Sequence, residues 1–225
     1  MFDRVLTVDW SGRSKPSPVT PCADAIFTCY GDQTTLSHPI YHRTRQSAMD
    51  YIHRVVEAAK DQKGTTLIGF DFSFGYPRGF AEHLTGSRDI RSLWRCLADR
   101  IQDDAQNANN RFQVAADING MFQGVGPFWG APANVQYAEL PYKGSQRHGH
   151  GLPEIRAAED GVKGAQSSWK LFTTGSVGSQ ALLGIARLHQ LVSRFPDIHL
   201  WPFDASERRC SVDLKNDSIE GPTLD

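Results

Sequence analysis

A chain of 225 residues is long enough to bury a substantial core without disulfide or metal staples, as one large domain or two small ones. Hydrophobic residues at 40% and charged residues at 22% exclude a disordered or collagen-like chain. With 24 Lys and Arg against 25 Asp and Glu, the net charge of −1 argues against a polyanion binder that works by bulk charge, and leaves room for a local basic patch.

Residues 1–9 are short, apolar and β-branched and give way to Ser11-Gly12 and a proline-dotted stretch ending at Pro21, the pattern of a strand and a loop. Residues 23–30 predict a second strand, Gly31-Asp32 a turn, and residues 34–40 a third strand, together an antiparallel meander. Over residues 44–60 the period changes: Ala48, Ile52, Val55, Val56 and Ala59 fall at helical spacing, with Gly64 just past the stop. Residues 65–71 predict a buried strand running into the turn-rich 72–77. Residues 87–105 place Ile90, Leu93, Trp94, Leu97 and Ile101 on one helical face. Residues 107–170 have little regular pattern and are rich in Gly, Pro, His and aromatics, as expected of a functional or mobile stretch. Residues 179–195 predict a strongly amphipathic helix with Leu182, Leu183, Ile185, Leu188, Leu191, Val192 and Phe195 inward, and residues 198–203 a last short strand. From Asp204 the tail is polar and patternless.

The order is β-β-β-α-β, an insertion, then α-β. Three antiparallel strands followed by a helical crossover fit a mixed sheet flanked by helices. The expectation is a single α/β domain over residues 1–225 with the layout of the ribonuclease H-like fold, three antiparallel strands and then parallel ones, and a long irregular insertion at about 78–170. No stretch reaches the ~20 consecutive apolar residues of a membrane-spanning helix, and residues 1–10, interrupted by Asp3, Arg4 and Asp9, lack the apolar segment of a signal peptide. Cys22, Cys29, Cys96 and Cys210 form no CxxC pair and read as occasional thiols, not a disulfide or zinc framework. A soluble protein of a reducing compartment, the cytoplasm, with no membrane partner is expected.

Asp9 and Asp71 each close an otherwise apolar predicted strand. If those strands are neighbours, both carboxylates emerge at one edge of the sheet, where they repel unless one is protonated or a cation is shared. Mg²⁺ or Mn²⁺ suits such a place, since a hard divalent ion takes a few carboxylates plus water and phosphate oxygens and can promote phosphodiester cleavage. The competing reading is that strand-ending Asp residues are ordinary turn starters or helix caps.

Val8-Asp9-Trp10-Ser11-Gly12 and Ile68-Gly69-Phe70-Asp71-Phe72-Ser73-Phe74-Gly75-Tyr76-Pro77 resemble the two acidic motifs of the DUF429 family, a group regarded as predicted nucleases of the ribonuclease H-like fold. Arg156-x-x-Glu159 and the block Gly175-Ser176-Val177-Gly178-Ser179-Gln180 are similar to blocks of its bacterial members, and the resemblance spans most of residues 1–203. Ser73 stands where the family pattern has Pro. The resemblance implies a third carboxylate from the region after the last strand, where residues 204–225 depart from the family.

Arg156 and Glu159, three apart, would pair on a helix. They are either a surface ion pair or, functionally, a phosphate-holding arginine and the third metal ligand, with Glu154 and Asp160 as weaker substitutes. Ser176, Gly178 and Ser179 open the long helix, where free N–H groups suit an anion; the plainer reading is a cap by Ser176 or Ser179 with glycines easing the turn. His148 and His150 lie two apart in a loop without an obvious third zinc ligand. Phe122, Phe128, Trp129, Tyr137 and Tyr142, near Lys143 and Arg147, would either stack bases or fold the insertion onto the domain. No GxSxG elbow or Ser-His-Asp order stands out.

Two functional readings follow. In the first, Asp9, Asp71 and Glu159 hold Mg²⁺ or Mn²⁺ and Arg156 steadies a scissile phosphate, in a phosphoryl-transfer enzyme that is most simply a nuclease with a nucleic acid partner. In the second, the chain is a non-catalytic module for a small phosphorylated or nucleotide ligand, with residues 175–180 as its anion site.

Overall fold

Alternation in the first strand decides which way the sheet faces. The structure, a computed structural model, describes residues 2–204; the rest of the patternless tail, 205–225 with Cys210, lies outside the described residues. In β1 (Arg4–Asp9) Leu6 and Val8 are buried, while Val5, Thr7 and Asp9 point the other way and stay exposed. β1 lies between β2 (Ile26–Asp32), which is antiparallel to it, and β4 (Thr66–Phe70), which is parallel. β3 (Ile40–His42) pairs antiparallel with β2, giving the strand order β3-β2-β1-β4. The architecture is thus an α/β fold on a four-stranded mixed sheet with one parallel pair.

The crossover to β4 is made by α1 (Arg45–Lys60). Thr44 caps it, its hydroxyl accepting from the Ser47 N–H (3.2 Å), and Ala48, Met49, Ile52 and Val56 are buried. After β4 come α2 (Phe80–Thr85), α3 (Ile90–Ala98), α4 (Arg111–Asn119) and α5 (Val177–Arg194), with short 3₁₀ turns at Gly144–Gln146 and Ala157–Glu159. α5 is buried nearly all round, with α3 and α4 packed against it, which is why its sequence carries Leu, Ile and Ala on every side. Gly184 is needed there: a β-carbon at this position would overlap the Phe72 ring. Among the described residues, no helix is long and apolar enough to cross a membrane.

The insertion packs onto the domain and forms its own part of the core. Phe80, Phe122, Phe128 and Trp169 are buried, and Phe80 stacks on Phe122 at 5.8 Å and meets Phe128 edge-on at 5.8 Å. The Asn119 side chain ties this unit together, accepting from the Phe128 N–H (2.9 Å) and donating to the carbonyls of Phe128 (2.9 Å) and Glu139 (2.7 Å).

Several elements depart from the sequence expectation, each for a local reason. The second strand begins at Ile26, because a turn from Cys22 to Ala25 precedes it. The expected turn at Gly31-Asp32 is the end of β2, and the third strand lies at Ile40–His42, sharing only Ile40 with the expected 34–40, because the Asp32 carboxylate takes the N–H groups of Thr34 and Thr35 and holds that segment in a turn. The helix expected to reach residue 105 stops at Ala98. Beyond it the Asp104 carboxylate accepts from Gln106 and Ala108 N–H (2.8 Å each) and Asn107 takes a positive φ of 67°, an arrangement that competes with helix. α4 lies in a stretch that lacked pattern, because Val114, Ala115, Ala116 and Ile118 are buried around most of its girth and blur the helical period. Residues 198–203 make no strand: the Asp204 N–H donates to the Leu200 carbonyl (2.8 Å) and the Leu200 N–H to the Asp204 carboxylate (2.7 Å), closing a turn.

Among the described residues, one face of the sheet has no helix on it. Leu6, Val8, Ile26, Thr28 and His42 are buried beneath the helices. On the opposite face, Val5 (37% exposed), Thr7, Asp9, Phe27, Cys29, Tyr41, Leu67 (39% exposed) and Asp71 all keep contact with solvent. A β-carbon added to Gly69, on this same face, would meet nothing within 4 Å.

Candidate functional site: an aspartate pair on an open sheet edge

The parallel register between β1 and β4 ends with Val8 beside Phe70, so the next residues, Asp9 and Asp71, leave the sheet side by side. The Asp71 N–H still donates to the Val8 carbonyl (3.2 Å), and the Trp10 N–H donates to Asp71 Oδ1 (2.8 Å), fixing one oxygen of that carboxyl. Burial among protein atoms, reinforced by the Asp9 charge, pushes the Asp71 carboxyl up to about 6 against the lowering pull of the Trp10 N–H. Among the described residues neither aspartate pairs with Arg or Lys.

The loop that follows Asp9 is anchored from beneath. Arg45 is fully buried and grips Asp103 with two bonds (Nε to Oδ2 2.8 Å, Nη2 to Oδ1 2.5 Å) while its Nη1 donates to the carbonyls of Ser11 (3.1 Å) and Arg13 (2.7 Å). Arg187 from α5 adds a second bond to Asp103 Oδ2 (3.0 Å), and Gln180 Nε2 donates to the Trp10 carbonyl (2.6 Å). Arg111 holds Ser14 Oγ (2.7 Å) and Ser179 Oγ (2.8 Å); burial, then the nearby Arg45 charge, pushes its guanidinium down to about 10. These residues position Trp10, and through its N–H the Asp71 carboxyl. Nothing local in the sequence marks them, because each acts on residues far away along the chain.

The other residues singled out from sequence lie elsewhere or are occupied. Glu159 is bound by Arg156 through the side chain (2.5 Å) and through the Arg156 N–H (3.0 Å), inside the 3₁₀ turn. Partial burial would raise the Glu159 carboxyl, but those bonds outweigh it and hold it below the usual carboxylate range. Among the described residues no group of three His, Cys, Asp or Glu side chains gathers as a metal cluster, so Glu159 does not join Asp9 and Asp71. Ser176 is the N-cap of α5 without a side-chain cap bond. The Gly178 N–H donates to the Lys170 carbonyl (3.0 Å), and a β-carbon there would overlap the Ser168 and Lys170 carbonyls. The Ser179 hydroxyl is buried between Arg111 Nε and the Leu171 carbonyl. The first turn of α5 therefore spends Gly178 and Ser179 on protein contacts.

His148 and His150 face local backbone, His148 Nδ1 the Gln146 carbonyl (3.1 Å) and His150 Nδ1 the Leu152 N–H (3.2 Å). Phe122 and Phe128 are core residues, as the plainer of the two sequence readings had it. Two aromatics that the sequence reading passed over stand in the aspartates' own row: Phe27 is directly opposite Asp9, and Tyr41 directly opposite Phe27. Compared with protein-family models, curated proteins and solved structures, the chain matches none.

Proposed function

We propose that the chain is a divalent-metal-dependent phosphoryl-transfer enzyme, most simply a nuclease, on a ribonuclease H-like sheet. The observation that carries this is the aspartate pair: two carboxylates leave adjacent parallel strands, neither paired with Arg or Lys among the described residues, and one is pushed up to about 6. The strand order β3-β2-β1-β4, with its single parallel step, supports the ribonuclease H-like assignment.

The donor set fits Mg²⁺ or Mn²⁺: both side chains offer hard oxygens, and both are open to solvent, which leaves room for water and phosphate oxygens. A bound ion would neutralise the pair and polarise a phosphoryl oxygen. The chain's own residues set the conditions. The Trp10 N–H orients Asp71 Oδ1, and the anchored loop keeps Asp9 and Asp71 in register. Near neutral pH Asp71 is mostly ionised; below about 6 it takes a proton and the pair loses its grip on a cation. Arg156, bound to Glu159, is assigned no role at the aspartates.

The test is Mn²⁺ binding by calorimetry together with metal-dependent hydrolysis of a generic phosphodiester such as bis(p-nitrophenyl) phosphate. Asp9→Asn and Asp71→Asn should each lose both while keeping the fold; hydrolysis surviving in either variant sinks the assignment. A second reading, a non-catalytic module for a small phosphorylated or nucleotide ligand, is favoured by the commitment of Glu159 to Arg156, which leaves two carboxylates among the described residues where a two-ion site would use more. Metal uptake without turnover would support that reading.

A further inference from the structure

The row of side chains that begins with Asp71 and Asp9 does not stop at the acids. The pairing register carries it through Phe27 on β2 and Tyr41 on β3, all four on the sheet face that no described helix covers. Phe27 and Tyr41 pack with ring centroids 5.4 Å apart, both half-buried, and the Tyr41 hydroxyl donates to the Pro18 carbonyl (2.7 Å), which fixes its ring. Neither ring belongs to the core on the other side of the sheet.

We propose that this open face is a stacking platform for single-stranded nucleic acid, with a base on Phe27 and the adjoining phosphate over Asp9 and Asp71. The proposal deepens the phosphoryl-transfer reading by naming its substrate class, and rests on that reading for what happens at the aspartates. Three observations carry it. The first is spacing: neighbouring strands are ~5 Å apart, so Phe27 stands one strand and Tyr41 two strands from Asp9, the scale that separates a base from its own phosphate.

The second is charge. β1, β3 and β4 all end at this edge, and the residues around it include Lys15 and Arg43, exposed and without a carboxylate partner among the described residues. Arg13 makes only a 4.0 Å approach to the exposed Asp24. These cations stand beside the acids of the same edge, so the positive charge offered to a sugar-phosphate chain next to the aromatic row is local, as the net charge of −1 requires. The third is shape. A ring on a sheet surface reaches only a base whose face is free, so a single strand fits and a duplex, with its faces stacked, does not. A second copy of the chain fits poorly, since a two-fold contact through this face would bring two aspartate pairs toward each other.

The test is fluorescence anisotropy with a labelled oligothymidylate of ~12 nucleotides, within the span of single-strand sites, at low salt with EDTA so that no metal contributes. The full chain should bind it more tightly than a duplex of the same length. Phe27→Leu keeps an apolar strand residue but removes the ring, and should weaken binding by ~10-fold with an unchanged far-UV circular dichroism spectrum. Lys15→Gln with Arg43→Gln should flatten the salt dependence.

Unchanged affinity in folded Phe27→Leu, equal or tighter binding of duplex, or no binding by the unmodified chain overturns the platform. So does a chain that forms dimers in light scattering, becomes monomeric with Leu67→Lys and ignores the oligonucleotide. Failure here is separable from failure of the catalytic reading. Loss of the platform with metal-dependent hydrolysis of the small diester retained removes only the platform, whereas stacking retained without Mn²⁺ uptake removes only the catalysis.

Discussion

Replacing Asp71 by Asn tests whether an ionised Asp71, disfavoured by burial and by the neighbouring Asp9 charge, costs the fold stability in the absence of metal. Asn keeps an acceptor for the Trp10 N–H at Oδ1 and mimics the protonated acid. In the native state the Asp71 carboxyl is carried from 3.8 up to about 6, so between those values the folded chain holds a proton that the unfolded chain releases. The sign follows: stability from this group is greatest at acid pH and is lost as pH rises through that window. At full effect such a displacement corresponds to roughly 3 kcal/mol. Asp71 keeps an open side, and solvent screening brings the expectation down to about 1 kcal/mol. Asp71→Asn should therefore be more stable than the unmodified chain by about that amount near neutral pH, with the gap closing toward pH ~4. Urea unfolding followed by tryptophan fluorescence reads this directly, since Trp10, Trp94 and Trp169 are buried. Added Mn²⁺ should then stabilise the unmodified chain by mass action and leave Asp71→Asn unmoved. A variant less stable than its parent at neutral pH, or a difference independent of pH, refutes the idea that burial, reinforced by the Asp9 charge, disfavours the ionised Asp71.

Other perturbations probe the scaffold. Asp103→Ala strips the shared partner from Arg45 and Arg187 and should cost about 3–5 kcal/mol in chemical denaturation. Gly184→Ala improves helix propensity, yet its methyl must displace the Phe72 ring, so a loss of about 1–3 kcal/mol is expected; coupling with Phe72→Leu in a double-mutant cycle shows whether that ring is the cause. Leu182→Ala removes a side chain with no exposure and should cost about 2–5 kcal/mol, read as a lower urea midpoint at constant slope. Burial, then the Arg54 charge, holds the His42 imidazole below its ordinary 6.5. Its neutral form costs nothing above that value, and the fold loses stability as pH falls below it, a loss that His42→Gln should lessen.

How far the chain could be read in one dimension differs from element to element. α1 and α5 were legible because a helix writes its buried face every three or four residues, and the expected bounds come within two residues of the observed ones. β1 and β4 were legible as apolar runs, each closed by an aspartate. Where buried residues surround a helix, as in α4, the period blurs, and where side chains such as Asp32 and Asp104 capture nearby N–H groups, an apolar run no longer predicts regular structure. The Arg156–Glu159 pair shows the limit of spacing: the three-residue interval was enough to bring them together, but it leaves Glu159 held by Arg156 and away from the aspartates.

By itself the sequence determined β1, β4, α1 and α5 and the residue types at strand ends, because hydrophobic period, caps and turn chemistry depend on neighbours a few residues apart. Only the tertiary structure decided that Asp9 and Asp71 meet, that Arg45, Arg187 and Gln180 brace the loop after Asp9, and that Phe27 and Tyr41 extend their row across a sheet face that no described helix covers. Those facts depend on strand register and on which face the helices choose, and both are set by contacts between segments tens of residues apart, where a shift of one residue would turn every side chain to the opposite face.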